Sequence, residues 1–220
     1  MKIACISASN VEMARGRSAS TRACELVEEI ARRLHPADLE VTILPLLDYE
    51  LKACRMCGKC LELGECYRDE AFNQLYHEIL KADAVFLVCP HYAPIPSKVM
   101  VITEKLEEMA YLNWCANPNY LSPLKDKPVG IIAHGGQQEQ ALPYYKAALL
   151  DPLAGAFGSV QMRVIGINEK WPNGMAFGIT NLWKPDDSVF VTIEHDWEGV
   201  KARIEPLVAK MLEAVENRLD

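Results

Sequence analysis

Four of the chain's eight cysteines fall in one stretch, ACRMCGKCLELGEC at 53–66. Cys54, Cys57, Cys60 and Cys66 follow the spacing C-x2-C-x2-C-x5-C. Thiols this dense ligate an iron–sulfur cluster, ligate zinc, form disulfides, or share no purpose. A C-x2-C-x2-C run wraps three thiolates around a cubane cluster, and a fourth ligand can follow nearby. Structural zinc usually takes two C-x2-C knuckles well separated in sequence, so the spacing suits iron better. The long gap from Pro45 to Arg68 carries no helix or strand pattern, and a bound cofactor would give such a loop a reason to exist. The remaining cysteines, Cys5, Cys24, Cys89 and Cys115, lie on apolar elements or at their ends and read as small core residues.

A second set of residues suits a phosphate and a flat ring. In ASNVEMARGRSASTRACE, Ser18, Ser20 and Thr21 sit where a helix begins, after Ser9 and among Arg15, Arg17 and Arg22. Hydroxyls, unpaired N–H groups and the helix dipole together make an anion site. The glycines of a G-x-G-x-x-G dinucleotide fingerprint are missing, and so is a Walker A loop. In CPHYAPIPS, Pro90, His91, Tyr92, Ala93, Pro94 and Ile95 form a stiff, partly aromatic wall. In AHGGQQEQ, His134 precedes Gly135 and Gly136, which let backbone approach a ligand closely. Each loop alone also reads as ordinary structure: a Ser/Thr cap, a rigid turn, a glycine turn. Together they favour a mononucleotide with a planar ring. His134 and His195 read singly as packed or solvated residues.

The elements around these loops alternate. Apolar runs predict strands over 2–7, 39–44, 84–89, 129–134 and 160–167. Helical spacing places amphipathic helices over 21–34, after an Asp69 cap, after a Ser97 cap, over 138–150 with a stop at Pro152, and from Asp196 to the end with Pro206 inside or at its true start. Alternating strands and helices imply a parallel sheet covered on both faces. The flavodoxin-like order 2-1-3-4-5 fits, in one domain over 1–220 with a cysteine-rich loop at 53–68 and an irregular insertion at 167–196. Ligands of such sheets sit beyond the strands' carboxyl ends at the switch point. That point joins the loops after strands 1, 3 and 4. The insertion, with Trp171, Phe177 and Trp183, reads as a lid, a subunit contact or a surface loop.

The net charge of −7 argues against nucleic acid and anionic membrane. The longest apolar run, AVFLVC, is too short to cross a bilayer. KIACIS lacks the features of a signal peptide, so a cytoplasmic setting with reduced thiols is expected, which lowers the disulfide option.

On these residues the chain resembles the NAD(P)H-dependent FMN reductase family. KADAVFLVCPHYAPIPSKVMVITEKL is similar to its strand-3 segment, RSASTRACELVEEI to its phosphate loop and first helix, and IAHGGQQEQAL to its third flavin loop. The four-cysteine motif and YRDEAFNQLYHEILKADA resemble the iron–sulfur flavoprotein branch. The resemblance implies FMN, a [4Fe–4S] cluster on Cys54, Cys57, Cys60 and Cys66, and a homodimer or homotetramer with cluster and flavin near a subunit boundary. It implies an oxidoreductase fed by NAD(P)H or, with a cluster, by ferredoxin. The flavin does the redox chemistry, so no side chain is assigned a catalytic role. The competing readings are a flavodoxin-like electron carrier, an FMN or quinone reductase without a cluster, and a zinc-stabilised scaffold.

Overall fold

A computed structural model describes residues 1–12, 17–36, 38–187, 189 and 191–219. Five runs form the sheet's main path: β1 (Lys2–Ser7), β2 (Glu40–Pro45), β3 (Ala84–Pro90), β4 (Pro128–His134) and β5 (Arg163–Ile165). Their order is β2-β1-β3-β4-β5 and every pairing is parallel. The switch point therefore lies between β1 and β3, as the loop chemistry requires.

Strands β3 and β4 are buried on both faces because helices cover each side. Successive side chains point to opposite faces. Ile3, Cys5, Phe86 and Val88 meet α1 (Ala19–Leu34) and α7 (Trp197–Leu219). Ala4, Ile6, Leu87 and Cys89 meet α3 (Glu70–Lys81), α4 (Ser97–Ala116) and α6 (Asp151–Ser159). Ile204, Leu207, Val208 and Met211 of α7 are fully buried, each contributing about 1.5–3 kcal/mol of apolar transfer before entropy is counted. Pro206 lies inside that helix, which starts where Asp196 accepts the Gly199 N–H. No helix among the described residues is long and apolar enough to cross a membrane.

Several local expectations are corrected. The fifth strand is not one run over 160–167. It is broken: β5 pairs with Pro128–Gly130, and β6 (Met175–Phe177) pairs with Ile132–His134, also in parallel. Gly174 makes the re-entry possible. It takes φ +127°, and a Cβ there would lie 2.1 Å from the Ile131 carbonyl oxygen, a position closed to other residues. The insertion also holds an antiparallel hairpin, β7 (Asn181–Trp183) with β8 (Thr192–Glu194).

The helix expected to stop at Pro152 continues. A short α5 (Leu142–Tyr145) leads into a π turn at Lys146–Leu150 and then α6, with Pro152 in the first turn of α6. The wider turn accommodates a residue that has no N–H to donate. Ser97 does not cap α4 with its side chain. Instead the neighbouring Lys98 ammonium donates to the carbonyls of Leu46 and Tyr49, at 2.6 and 2.7 Å. Cys5, Cys24 and Cys89 are buried as expected, but Cys115 is exposed at the end of α4.

Candidate functional site

The loops after β1, β3 and β4 meet around a cavity of about 830 Å³. Ser9, Arg17, Ser18, Ser20, Pro90, His91, Tyr92, His134, Gly135 and Gly136 all line it. Thr21, Ala93, Pro94 and Ile95 do not. Thr21 lies behind the wall, where its hydroxyl bonds those of Ser7 (2.9 Å) and Ser18 (3.0 Å). Ala93 and Pro94 close the turn that carries Tyr92, whose N–H donates to the Pro94 carbonyl. Ile95 faces a separate groove with Met100 and Leu153. Arg15 lies outside the described residues.

The anion-binding end is built by α1. Ser18 is its N-cap: Oγ accepts the Thr21 N–H and the Ser18 carbonyl accepts that of Arg22. The N–H groups of Ala19 and Ser20 have no acceptor among the described residues. They carry the positive end of the helix dipole toward the cavity. At the β4 end, the space where a Gly135 side chain would stand is filled by the Tyr145 hydroxyl, 2.5 Å from an ideal Cβ. That glycine serves packing. Gly136 is open, its nearest neighbour being Ile193 at 3.9 Å.

The insertion at 167–196, for which a lid is one of three readings, supplies a further wall most of whose residues the sequence did not single out. Thr180, Val191, Ile193, Glu194, His195 and Trp197 close the cavity from the hairpin and the start of α7. Alternation in NLW and TIE was the available signal, weakened by the short length of both runs. Nor are the two histidines solitary. The His134 ring stacks on Phe177 (5.0 Å between centroids, 6° between planes) and stands 6.5 Å from His195. His195 in turn packs on Trp197 at 4.8 Å and meets the Gly178 carbonyl at 3.1 Å. Burial, with His195 adding a little, pushes the His134 pKa down to about 3. Burial also lowers that of His195, against the opposing pull of the Gly178 carbonyl. Both rings are therefore neutral at pH 7. The hydroxyl and amide donors, one arginine, a partly aromatic wall and an open glycine backbone fit a flavin mononucleotide, and the volume is that of a ligand pocket.

A second cavity, of about 360 Å³, contains all four loop cysteines with Lys52, Arg55, Arg68, Lys105 and Met109. The loop between β2 and α3 holds only a 3₁₀ turn at Leu46–Asp48 and a four-residue helix, α2 (Cys60–Leu63). Its two ends are tied together by Asp69. That carboxylate caps α3 through the Phe72 N–H (3.1 Å), accepts the Lys52 N–H (2.8 Å) and pairs with the buried Lys105 ammonium (2.5 Å). Burial would raise the Asp69 pKa, but Lys105 and the two N–H donors outweigh it and hold it below the usual carboxylate range. Lys105 also stands 3.7 Å from the Cys66 sulfur. Asn73 clamps the Cys66 backbone with two 2.9 Å bonds. The Met56 N–H donates to the Cys54 sulfur at 3.4 Å.

All eight cysteines are free thiols. No three His, Cys, Asp or Glu side chains among the described residues stand at the mutual distances of a metal site. The donor set still fits a thiolate-ligated cluster: four soft ligands on one cavity, an N–H and an ammonium directed at sulfur, and a cationic rim to balance negative charge.

Sheet order, switch-point cavity and loop chemistry together define a flavin-binding α/β protein. The profile of the family described as NADPH-dependent FMN reductase matches residues 1–164. The chain belongs to this family of flavin-dependent oxidoreductases. It is 33% identical over 67 residues to an iron-sulfur flavoprotein of Archaeoglobus fulgidus, a match spanning 30% of this chain and only 33% of that protein. Its fold is similar to that of RosB, solved with 8-demethyl-8-formylriboflavin-5'-phosphate: TM-score 0.61 at 16% identity, covering 98% of this chain and 79% of that one. An azoreductase from Bacillus anthracis str. Sterne gives TM-score 0.54 at 16% identity, over 98% and 97% of the two chains. At these identities the structural likeness is one of fold.

Proposed function

We propose that this protein is an FMN-dependent oxidoreductase that moves electrons from a reduced donor to an acceptor, with a [4Fe–4S] cluster on Cys54, Cys57, Cys60 and Cys66. The observation that carries the reading is the convergence of an anion-binding helix end, a stiff aromatic loop and an open glycine backbone on one cavity at the carboxyl ends of β1, β3 and β4. FMN, when bound, supplies the redox chemistry. Ser18, Ser20 and the first amides of α1 hold its phosphate. Pro90, His91 and Tyr92 support the ring, and Ile193 and Trp197 exclude water from the far side.

Family membership supports NAD(P)H as the donor; with the cluster present, ferredoxin takes its place. The two cavities share no lining residue. The cysteine cavity instead adjoins a groove on α4 and α6, through Cys54. This separation supports transfer between chains of a homodimer or homotetramer; a cytoplasmic setting rests on the sequence reading alone. A second reading, an FMN reductase without a cluster, is favoured by the spread of the four thiols, which do not converge at metal distances.

The deciding experiment is a visible spectrum of protein purified without oxygen, before and after dithionite, with iron and acid-labile sulfide assays. Flavin bands over a broad shoulder that bleaches on reduction, with about four irons per chain as a [4Fe–4S] centre contains, support the first reading. Flavin bands without iron select the second. No flavin binding, even with FMN added, overturns both. Oxidation of NADH or NADPH by the FMN-loaded protein then separates an enzyme from a carrier.

A further inference from the structure

The geometry points to His134 as a positioning residue that makes the Ser20 hydroxyl a donor to the phosphate of the bound nucleotide, an inference that rests on the flavin reading above. His134 ends β4 and Ser20 lies in the first turn of α1, yet Nε2 and Oγ are 2.8 Å apart. The two residues are 6% and 1% exposed. Strand β3 stands between β4 and β1, so the contact passes over the sheet's carboxyl edge at Pro90, the residue in register with His134. It joins the phosphate end of the cavity to its glycine end.

The broken fifth strand supplies the support. Phe177 is in register with His134 and its ring lies flat against the imidazole. His195 and Trp197 pack around Phe177 at 5.4 and 6.1 Å. Without the re-entry at Gly174, β4 would have no neighbour on its β5 side at this height and the imidazole no stacking partner.

A neutral imidazole bonds a hydroxyl in one of two senses. If Ser20 donates to Nε2, its lone pairs face the incoming anion and repel it. If Nε2–H donates to Ser20 Oγ, the hydroxyl proton is free to donate into the cavity, beside the amides of the first turn of α1. An anion there selects the second arrangement, in which an uncharged ring orders a hydroxyl donor beside the exposed Arg17 and the α1 amides. The mechanism predicts an effect confined to the phosphate.

The test is titration of FMN and of riboflavin into flavin-free protein, for wild type, Ser20→Ala, His134→Phe, His134→Gln and the Ser20→Ala/His134→Phe double variant, with circular dichroism to confirm folding. Loss of one hydrogen bond to a charged acceptor raises the FMN Kd roughly ten- to hundredfold in Ser20→Ala and in His134→Phe. Riboflavin, lacking the phosphate, changes by less than about threefold on the same reasoning. The double variant is no weaker than the worse single variant, because both remove one device. His134→Gln, whose amide can donate to the same hydroxyl, recovers most of the FMN affinity. Nitrogen-15 spectra place the His134 ring proton on Nε2 in the FMN complex. Equal losses for FMN and riboflavin, additive losses, or a proton on Nδ1 overturn the inference while leaving the flavin reading intact. A folded wild type that binds neither flavin overturns that reading and the inference with it.

Discussion

A histidine ring lying flat against Phe177, with a second imidazole 6.5 Å away and 6% exposure, has little solvent with which to share a positive charge. The pKa of His134 falls to about 3 in the folded chain, against about 6.5 when unfolded. Between these values the unfolded chain binds the extra proton and the folded chain does not, so stability falls as pH drops below about 6.5. The loss from this group is about 1.4 kcal/mol per pH unit until the folded value is approached. Urea midpoints of wild type and His134→Phe at pH 7 and pH 5 check this. The wild type loses more stability than the variant over that interval, and equal losses would show that His134 is not held neutral. The environment behind this behaviour was illegible from the residue itself: neither Phe177 nor Ser20 is near His134 in the sequence. The cysteine spacing and the hydroxyl cluster, by contrast, are local patterns and could be read directly.

At the level of elements, the sheet's order was legible because strands β1, β3 and β4 are apolar on both faces and separated by amphipathic helices. The fifth position was not. MAF is three residues long and flanked by Gly174 and Gly178, too short to show alternation against the turn residues around it. What makes it a strand is a tertiary partner, β4, and that information is absent from the local sequence. The run through Pro152 escaped for a related reason: proline ordinarily ends a helix, and the π turn that tolerates it is set by packing of Leu149, Leu150 and Leu153 into the core. The broken strand gives a sharp expectation. Gly174→Ala places a methyl 2.1 Å from the Ile131 carbonyl at φ +127°. Displacing β6 to relieve that clash costs roughly 2–4 kcal/mol, a cost in the range of strained backbone plus lost core packing. It also loosens Phe177 from His134. Thermal melts measure the first effect, and FMN affinity the second. A variant as stable as wild type would show that β6 does not depend on this glycine.

Across the whole molecule, the nucleotide cavity draws its walls from both ends of the chain: Ser9 and Ser18 near the start, Ile193 and Trp197 near the finish. A ligand there bridges segments that unfolding separates. FMN at a hundred times its Kd adds about 2.7 kcal/mol to the unfolding free energy. For a chain of this size that corresponds to a rise in Tm of roughly 5–10 °C. Thermal shift assays with FMN and riboflavin check the value, FMN giving the larger rise. An unchanged Tm at saturating FMN would remove the cavity from consideration as the flavin site.

The knot at Asp69 bears on how such a protein matures. One carboxylate holds Lys52 at the loop's entrance, begins α3 at its exit and fastens Lys105 of α4 beneath it. The cysteine loop is thereby pinned at both ends by contacts made within the polypeptide itself. Most of the entropy of closing the loop is then spent before any ligand arrives. On the cluster reading proposed above, a metal centre would be a late insertion into a finished scaffold, reversible without unfolding.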